Sequence, residues 1–178
     1  MMTPLVDLLH NYHPTAPEEI SYKCDILTFI AAHPDCFERT LAIGHITASA
    51  LLLNKDGSKV LMMHHAKLDK WVQLGGHCDG NPDVLAVAIK EAQEESGIMG
   101  IEPVDGTIFD IDIHLIPERN HEKAHNHYDI RFILQVVSDE DFLQNSESKA
   151  LRWIPKDLAA LPADQLSVVR MFKKWLVG

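Results

Sequence analysis

An α/β fold, in which a mixed β-sheet carries helices on its faces and follows a helical arm, is predicted by three observations. The first is an aliphatic and β-branched run, HITASALLLN, that meets a turn signal at Asp56-Gly57 and a returning run, VLMMHH. Together these read as a hairpin. The second is a single amphipathic helical segment bounded by Asn81-Pro82-Asp83 and Gly97, set between the strand-like stretches. The third is the alternation of apolar and polar residues in TIFDIDIHLIP, the habit of a half-buried strand, with HYDIRFILQVV as its partner. Strands with one helix inserted midway and another at the end give α/β or α+β order with helices packed on the sheet.

The elements follow in chain order. Leu5, Leu8 and Leu9 have helical spacing, Pro14 and Pro17 interrupt, and Ile20, Ile26, Leu27 and Ile30 resume it until His33-Pro34. Residues 1–38 therefore read as a helical arm and 39–178 as the main domain. After the hairpin, a short strand is expected from Trp71 to Leu74, before Gly75-Gly76. In the central helix Asn81 is expected as N-cap, Pro82 as the first helical residue and Gly97 as the stop. ERNHEKAHN is a polar loop, Ala150 to Ile154 a last strand, and Pro162 opens a final amphipathic helix through Val168, Val169, Phe172, Trp175 and Leu176.

The chain has 178 residues, enough for one domain with a real core. Its formal charge of −10 argues against a duplex nucleic-acid binder, which carries a basic face. No apolar run approaches the roughly 20 residues of a membrane span. The N-terminal MMTPLVDLLHNYHPT has no basic residue before its apolar patch, unlike a secretory signal. Cys24, Cys36 and Cys78 form no CxxC pair and suit free thiols in a reducing compartment. A cytoplasmic protein is the expectation.

The central helix poses a problem of charge. At about 100° per residue, Leu85, Ala88, Ile89 and Ala92 form one apolar stripe, and Glu91, Glu94 and Glu95 sit on its rim. Like charges at these spacings repel by a few tenths of a kcal/mol per pair. Carboxylates near the helix C-terminus also oppose its dipole, by about 0.3–1 kcal/mol each. A divalent cation reverses both effects, and clustered carboxylate oxygens are ordinary ligands for Mg²⁺ or Mn²⁺. A solvated acidic surface is the plainer reading of the three glutamates alone. The preceding Gly75-Gly76 favours the cation, because glycines let a backbone carbonyl and a phosphate approach closely.

Gly76 followed by Lys90-Glu91-Ala92-Gln93-Glu94-Glu95-Ser96-Gly97-Ile98 resembles the Nudix box, G-x5-E-x7-R-E-U-x-E-E-x-G-U, with its spacing kept from Gly76 to Ile98. Pro82 stands where the family has a glutamate, Lys90 where it has arginine, and Ala92 is small for the bulky aliphatic U. The Trp71-x-x-Leu74-Gly75-Gly76 lead-in and Leu151-Arg152-Trp153-Ile154-Pro155 also resemble Nudix domains. The resemblance implies an α/β/α sandwich and hydrolysis of a diphosphate linkage in a nucleoside diphosphate derivative. It further implies metal ligation by Glu91, Glu94, Glu95 and the Gly75 carbonyl. Glu94 or Glu95 would orient or deprotonate water. Glu118, Glu122 and Glu147 are further candidates for the base, with Glu147 preferred. The family's glutamate–arginine brace is expected to be replaced by Lys90 paired with Asp79 or Asp83.

Substrate contacts are expected from Lys90, Arg131, His127 and Trp71, the last by stacking on a base, although an aromatic ahead of the glycines is more often a core residue. Eleven histidines are many for this length, and His114, His121, His125 and His127 gather around one loop. They read as phosphate or base contacts with Tyr128, Asp129 and Arg131, as a transition-metal site, or as ordinary polar residues. A zinc site requires three or four converging ligands. His64, His65 and His77 read as structural or exposed, and Cys78 and Trp153 as packed. The leading expectation is a Mg²⁺- or Mn²⁺-dependent pyrophosphohydrolase. A domain that senses a nucleotide without cleaving it is the alternative, disfavoured by the retained glutamates. The arm would cover the pocket or support a homodimer.

Overall fold

The computed structural model describes residues 4–118 and 123–178, so His121 and Glu122 lie outside the described residues. Two helices come first, α1 (Pro4–Asn11) and α2 (Pro17–Ala32), separated where Pro14 and Pro17 break the helical pattern. A curled eight-stranded sheet follows: β1 (Gly44–Leu53), β2 (Lys59–His65), β3 (Lys70–Val72), β4 (Leu74–His77), β5 (Ile101–Pro103), β6 (Asp110–Ile116), β7 (His125–Val136) and β8 (Ser148–Pro155). Helix α3 (Val84–Ser96) is inserted after β4, and α4 (Leu166–Val177) closes the described chain.

Strand β1 is central. It runs parallel to β7 along its whole length, from Gly44 opposite Asn126 to Leu53 opposite Gln135. Its other edge pairs antiparallel with β4 and then with β2. The two-residue period sends Ile46, Ala48, Ala50 and Leu52 into one core with Val84, Val87, Ala88 and Ala92 of α3. Leu51 and Leu53 face the opposite way, into a second core with Val168, Met171, Phe172 and Trp175 of α4. The sheet is therefore sandwiched between helices. Leu5, Leu9, Ile26 and Phe29 of the arm belong to the first core, and Phe29 stacks on Tyr128 with ring centroids 4.0 Å apart. Among the described residues, no helix is long and apolar enough to cross a membrane.

Several local expectations change. The strand expected to stop before the glycines divides at Gln73, and β4 runs through Gly75 and Gly76, opposite Ser49 and Ala48. Helix α3 is capped by Asp83, whose Oδ1 accepts from the Ala86 N–H at 3.0 Å. Asn81 spends its side chain on the Asp83 N–H instead, so Pro82 precedes the cap. Gly97 does end the helix, at φ 73°. Helix α4 begins at Leu166 rather than Pro162. In β6 the polar residues of the alternation are not in water: Asp110 and Asp112 are buried beneath cations of β7 and α4.

Candidate active site

Helix α3 presents its last turns to β4. Glu95 is buried, and its Oε2 accepts from the Gly75 N–H at 2.8 Å. One turn earlier, Glu91 lies against Gly76 so closely that a Cβ there would meet Glu91 Oε2 at 2.4 Å. Glu94 points outward, with 59% of its side chain exposed. Lys90 Nζ lies 3.2 Å from both Glu91 Oε1 and Glu94 Oε2. The loop before β8 packs on the end of α3: the Leu143 N–H donates to the Ser96 carbonyl at 2.7 Å, and Asn145 Nδ2 to that of Glu94 at 3.2 Å. That docking brings Glu147 into electrostatic range of Glu91 and Glu95.

Burial is the main reason the Glu95 carboxyl is pushed up to about 8. The Gly75 N–H opposes this, while the neighbouring charges of Glu91, Glu147 and Glu94 add to it. Burial raises Glu91 too, against the pull of Lys90. The residues expected to brace Lys90 do not. Arg39 takes Asp79 in a two-pronged ion pair, with N–O distances of 2.5 and 2.6 Å, and Asp83 caps the helix. Lys90 pairs with the glutamates themselves, because Pro82 offers no carboxylate.

The two glycines separate by substitution. A Cβ on Gly75 would stand 2.3 Å from Ser49 Cβ and 2.6 Å from its Cα. Gly75→Ala is expected to lower stability by about 3 kcal/mol, the scale of an overpacked core, as read from the urea midpoint. Gly76→Ala meets only the end of the Glu91 side chain, so it is expected to keep that midpoint and displace the carboxylate.

On the α4 face of the sheet lies a buried ion network. All five N–H donors of Arg131 are engaged: Nε with Asp129, Nη1 with Asp110 and the Ser167 carbonyl, and Nη2 with Asp112 and Ser167 Oγ. No donor remains for the phosphate contact expected of it. Asp129 also accepts from Thr47 Oγ1, Ser49 Oγ and Gln73 Nε2. Gln73 Oε1 is buried and has no partner among the described residues. Trp71 is half-buried against the core under α4, stacked with His64 at 5.2 Å between centroids and with the Arg152 guanidinium 5.0 Å from its ring.

Register then gathers histidines on this same face. His45 of β1 lies opposite His127 of β7, and His127 opposite His114 of β6. His77 of β4 lies opposite Thr47, one step along the same face from His45. Burial first, then the like charges of His77 and His125, push His45 down to about 4. The Leu41 carbonyl pulls the other way, without the geometry of a hydrogen bond to the ring. His127 is lowered further, again chiefly by burial. Cys78 is packed as expected, and burial raises its thiol to about 12.

Two residues of this region were not legible in the sequence. His45 sits in an apolar strand, and nothing local joins it to His77 or His127. Gln73 is an isolated polar residue between two short strands. Only strand register reveals either.

Comparison with known proteins agrees with this architecture. Residues 44–176 match the family profile of the NUDIX domain. A NUDIX-family hydrolase of Clostridium perfringens superposes with a TM-score of 0.55 at 27% identity, over 75% of this chain and 96% of that one. The dihydroneopterin triphosphate pyrophosphohydrolase of E. coli superposes with a TM-score of 0.59 at 15% identity, over 74% and 94%, a likeness of fold. In sequence, a protein of Lactococcus lactis subsp. cremoris (strain MG1363) named "Probable DHNTP pyrophosphohydrolase" is 30% identical over 97 residues. That match spans 53% of this chain and 56% of the relative, little more than half its length. The domain match, the sandwiched sheet and the glycine–glutamate junction together place the chain in the Nudix hydrolase family.

Proposed function

We propose that the protein is a divalent-metal-dependent pyrophosphohydrolase that cleaves the diphosphate linkage of a nucleoside diphosphate derivative, with Mg²⁺ or Mn²⁺ as its metal. The observation that carries this reading is the buried Glu95, bonded to the Gly75 backbone and crowded by Glu91, Glu94 and Glu147. Hard carboxylate oxygens gathered beside a glycine-built strand edge suit a hard cation. Glu91, Glu94 and Glu95 would hold it, with the Gly75 carbonyl. Such an ion, when bound, polarises phosphoryl oxygens and stabilises charge on the leaving phosphate.

The chain's own residues do the rest. The Gly75 N–H fixes the orientation of Glu95. Gly76 leaves room for Glu91, and Lys90 tempers the repulsion between Glu91 and Glu94. Glu147 is exposed at the rim and is assigned the proton of the attacking water. Arg131 acts as a positioning residue that holds Asp129 and, through it, Gln73. Trp71, Gln73 and His127 share the α4 face, where the organic part of the substrate is placed. Gln73 Oε1 is available there as an acceptor for a ring N–H.

The relative's printed name makes dihydroneopterin triphosphate the first compound to test. Phosphate and pyrophosphate release should be followed over that compound, nucleoside triphosphates, nucleotide sugars and dinucleotides. Turnover of at least one is expected with Mg²⁺ or Mn²⁺, abolished by chelation and restored by the metal. Tight binding of a compound with no release under either metal would favour a nucleotide sensor instead.

A further inference from the structure

Strand register places His77, His45, His127 and His114 in a row across β4, β1, β7 and β6. Three of these rings converge. One nitrogen each from His45, His77 and His127 lie within 4.8 Å of one another. The ring centroids are 5.0 Å apart for His45 and His77, 4.8 Å for His45 and His127, and 5.1 Å for His77 and His127. Four-coordinate zinc with Zn–N bonds near 2.0–2.1 Å needs nitrogens roughly 3.3 Å apart, which small rotations of the rings supply.

The row is unlike an ordinary patch of polar residues in one respect. His45 is 2% exposed, yet among the described residues neither of its ring nitrogens has a hydrogen-bond partner. His127 Nε2 is buried and, among the described residues, unpartnered as well. Burying an unsatisfied polar nitrogen is costly, so two such rings side by side call for a ligand. Two neighbouring rings are anchored through Nδ1. His125 engages the Lys123 carbonyl through Nδ1 at 2.9 Å, and His114 engages Asp112 through Nδ1 at 3.0 Å. His125 lies 5.1 Å from His45 and 5.2 Å from His127 between ring centroids, within reach of a fourth coordination position.

We propose that His45, His77 and His127 form a transition-metal site, of the zinc class, separate from the carboxylates of α3. Imidazole nitrogens suit Zn²⁺, Co²⁺ or Ni²⁺, whereas Mg²⁺ takes oxygen. The site is built on three strands rather than on a loop, so its geometry is set by the sheet. His127 then serves the substrate face by holding an ion. The proposal goes beyond the hydrolase reading and does not depend on it, since the ion binds without substrate.

The test uses the full chain stripped by a chelator, titrated with Zn²⁺ alone and, separately, with Co²⁺ alone. One ion per chain is expected, not displaced by a large excess of Mg²⁺, and Co²⁺ should give the intense visible bands of a four-coordinate site. His45→Gln and His127→Gln should each weaken Zn²⁺ binding by about 100-fold or more and abolish the bands. Glu94→Gln and His64→Gln should leave both readouts unchanged. Circular dichroism confirms that each variant is folded; if His45→Gln is not, His127→Gln decides. Absence of Zn²⁺ binding to the folded wild-type chain overturns the proposal. So does binding that survives both histidine substitutions, or binding lost in Glu94→Gln. Failure of this test leaves the metal-dependent hydrolysis assay unaffected.

Discussion

Glu94→Gln is expected to lower kcat/KM by about 10²–10³-fold while leaving the urea midpoint almost unchanged, the scale of losing one electrostatic stabiliser of the transition state. The two halves of this expectation come from one fact. Glu94 is the outward member of the trio, with 59% of its side chain in solvent, so an isosteric amide removes no packing. Among the described residues, the ion pair lost is with Lys90, itself 60% exposed. Exposed helix pairs of that kind contribute about 0.3–0.5 kcal/mol. The same carboxylate is one of three proposed to hold the metal, and removing one charge weakens the cation where phosphoryl charge develops. Raising Mg²⁺ should recover part of the loss. A loss smaller than tenfold at saturating metal would remove Glu94 from the ligand set. Glu95→Gln is a less decisive substitution, because Glu95 is buried and bonded to the Gly75 N–H.

How much of this was legible beforehand divides along a physical line. Local signals marked what local forces determine. Alternation and turn residues announced the β1–β2 hairpin, β6 and β7, and Gly97 announced the end of α3. The spacing from Gly76 to Ile98 announced the junction of strand and helix. What failed depended on partners distant in sequence. Asp110 and Asp112 looked like the solvent side of a strand, and only the arrival of Arg131, Arg170 and Lys174 explains their burial. Arg131 looked like a phosphate ligand because a lone arginine beside histidines has no visible partner in sequence. Strand β5 was missed because three residues ending in Pro103 carry no periodicity. The histidine row was half legible: His125 and His127 share a face by simple alternation, whereas His45 and His77 join them only through the pairing of β7, β1 and β4.

Lys174→Met is expected to destabilise the protein by about 3–5 kcal/mol, the range for breaking a buried ion pair from one side. The N-terminal helices are tied to the sheet by one polar knot. Glu19 of α2 is fully buried and accepts hydrogen bonds from Tyr12 Oη at 2.5 Å, the Ala16 N–H at 2.8 Å and the Thr15 N–H at 3.0 Å. It also pairs with Lys174 of α4. Lys174 Nζ bonds in turn to Asp110 at 2.8 Å and to the Phe109 carbonyl at 3.2 Å. Removing the ammonium leaves Glu19 buried without its cation, while Asp110 keeps Arg131 and Arg170. Burial alone would raise the Glu19 carboxyl, but its hydrogen bonds with Asp110, Lys174 and Tyr12 hold it well below the ordinary range. Its contribution is therefore present above the unfolded value of about 4.3 and lost as pH falls towards the lower folded value. Without Lys174 the sign reverses for Glu19, because a buried carboxyl without a cation favours its proton. The gap between wild type and Lys174→Met should thus narrow as pH drops from 7 to 5. Glu19→Gln combined with Lys174→Met should cost less than the sum of the two single losses, since Lys174→Met alone strands the Glu19 carboxylate and the double variant does not. Additive losses in urea titrations, with a gap independent of pH, would show that the knot is only packing.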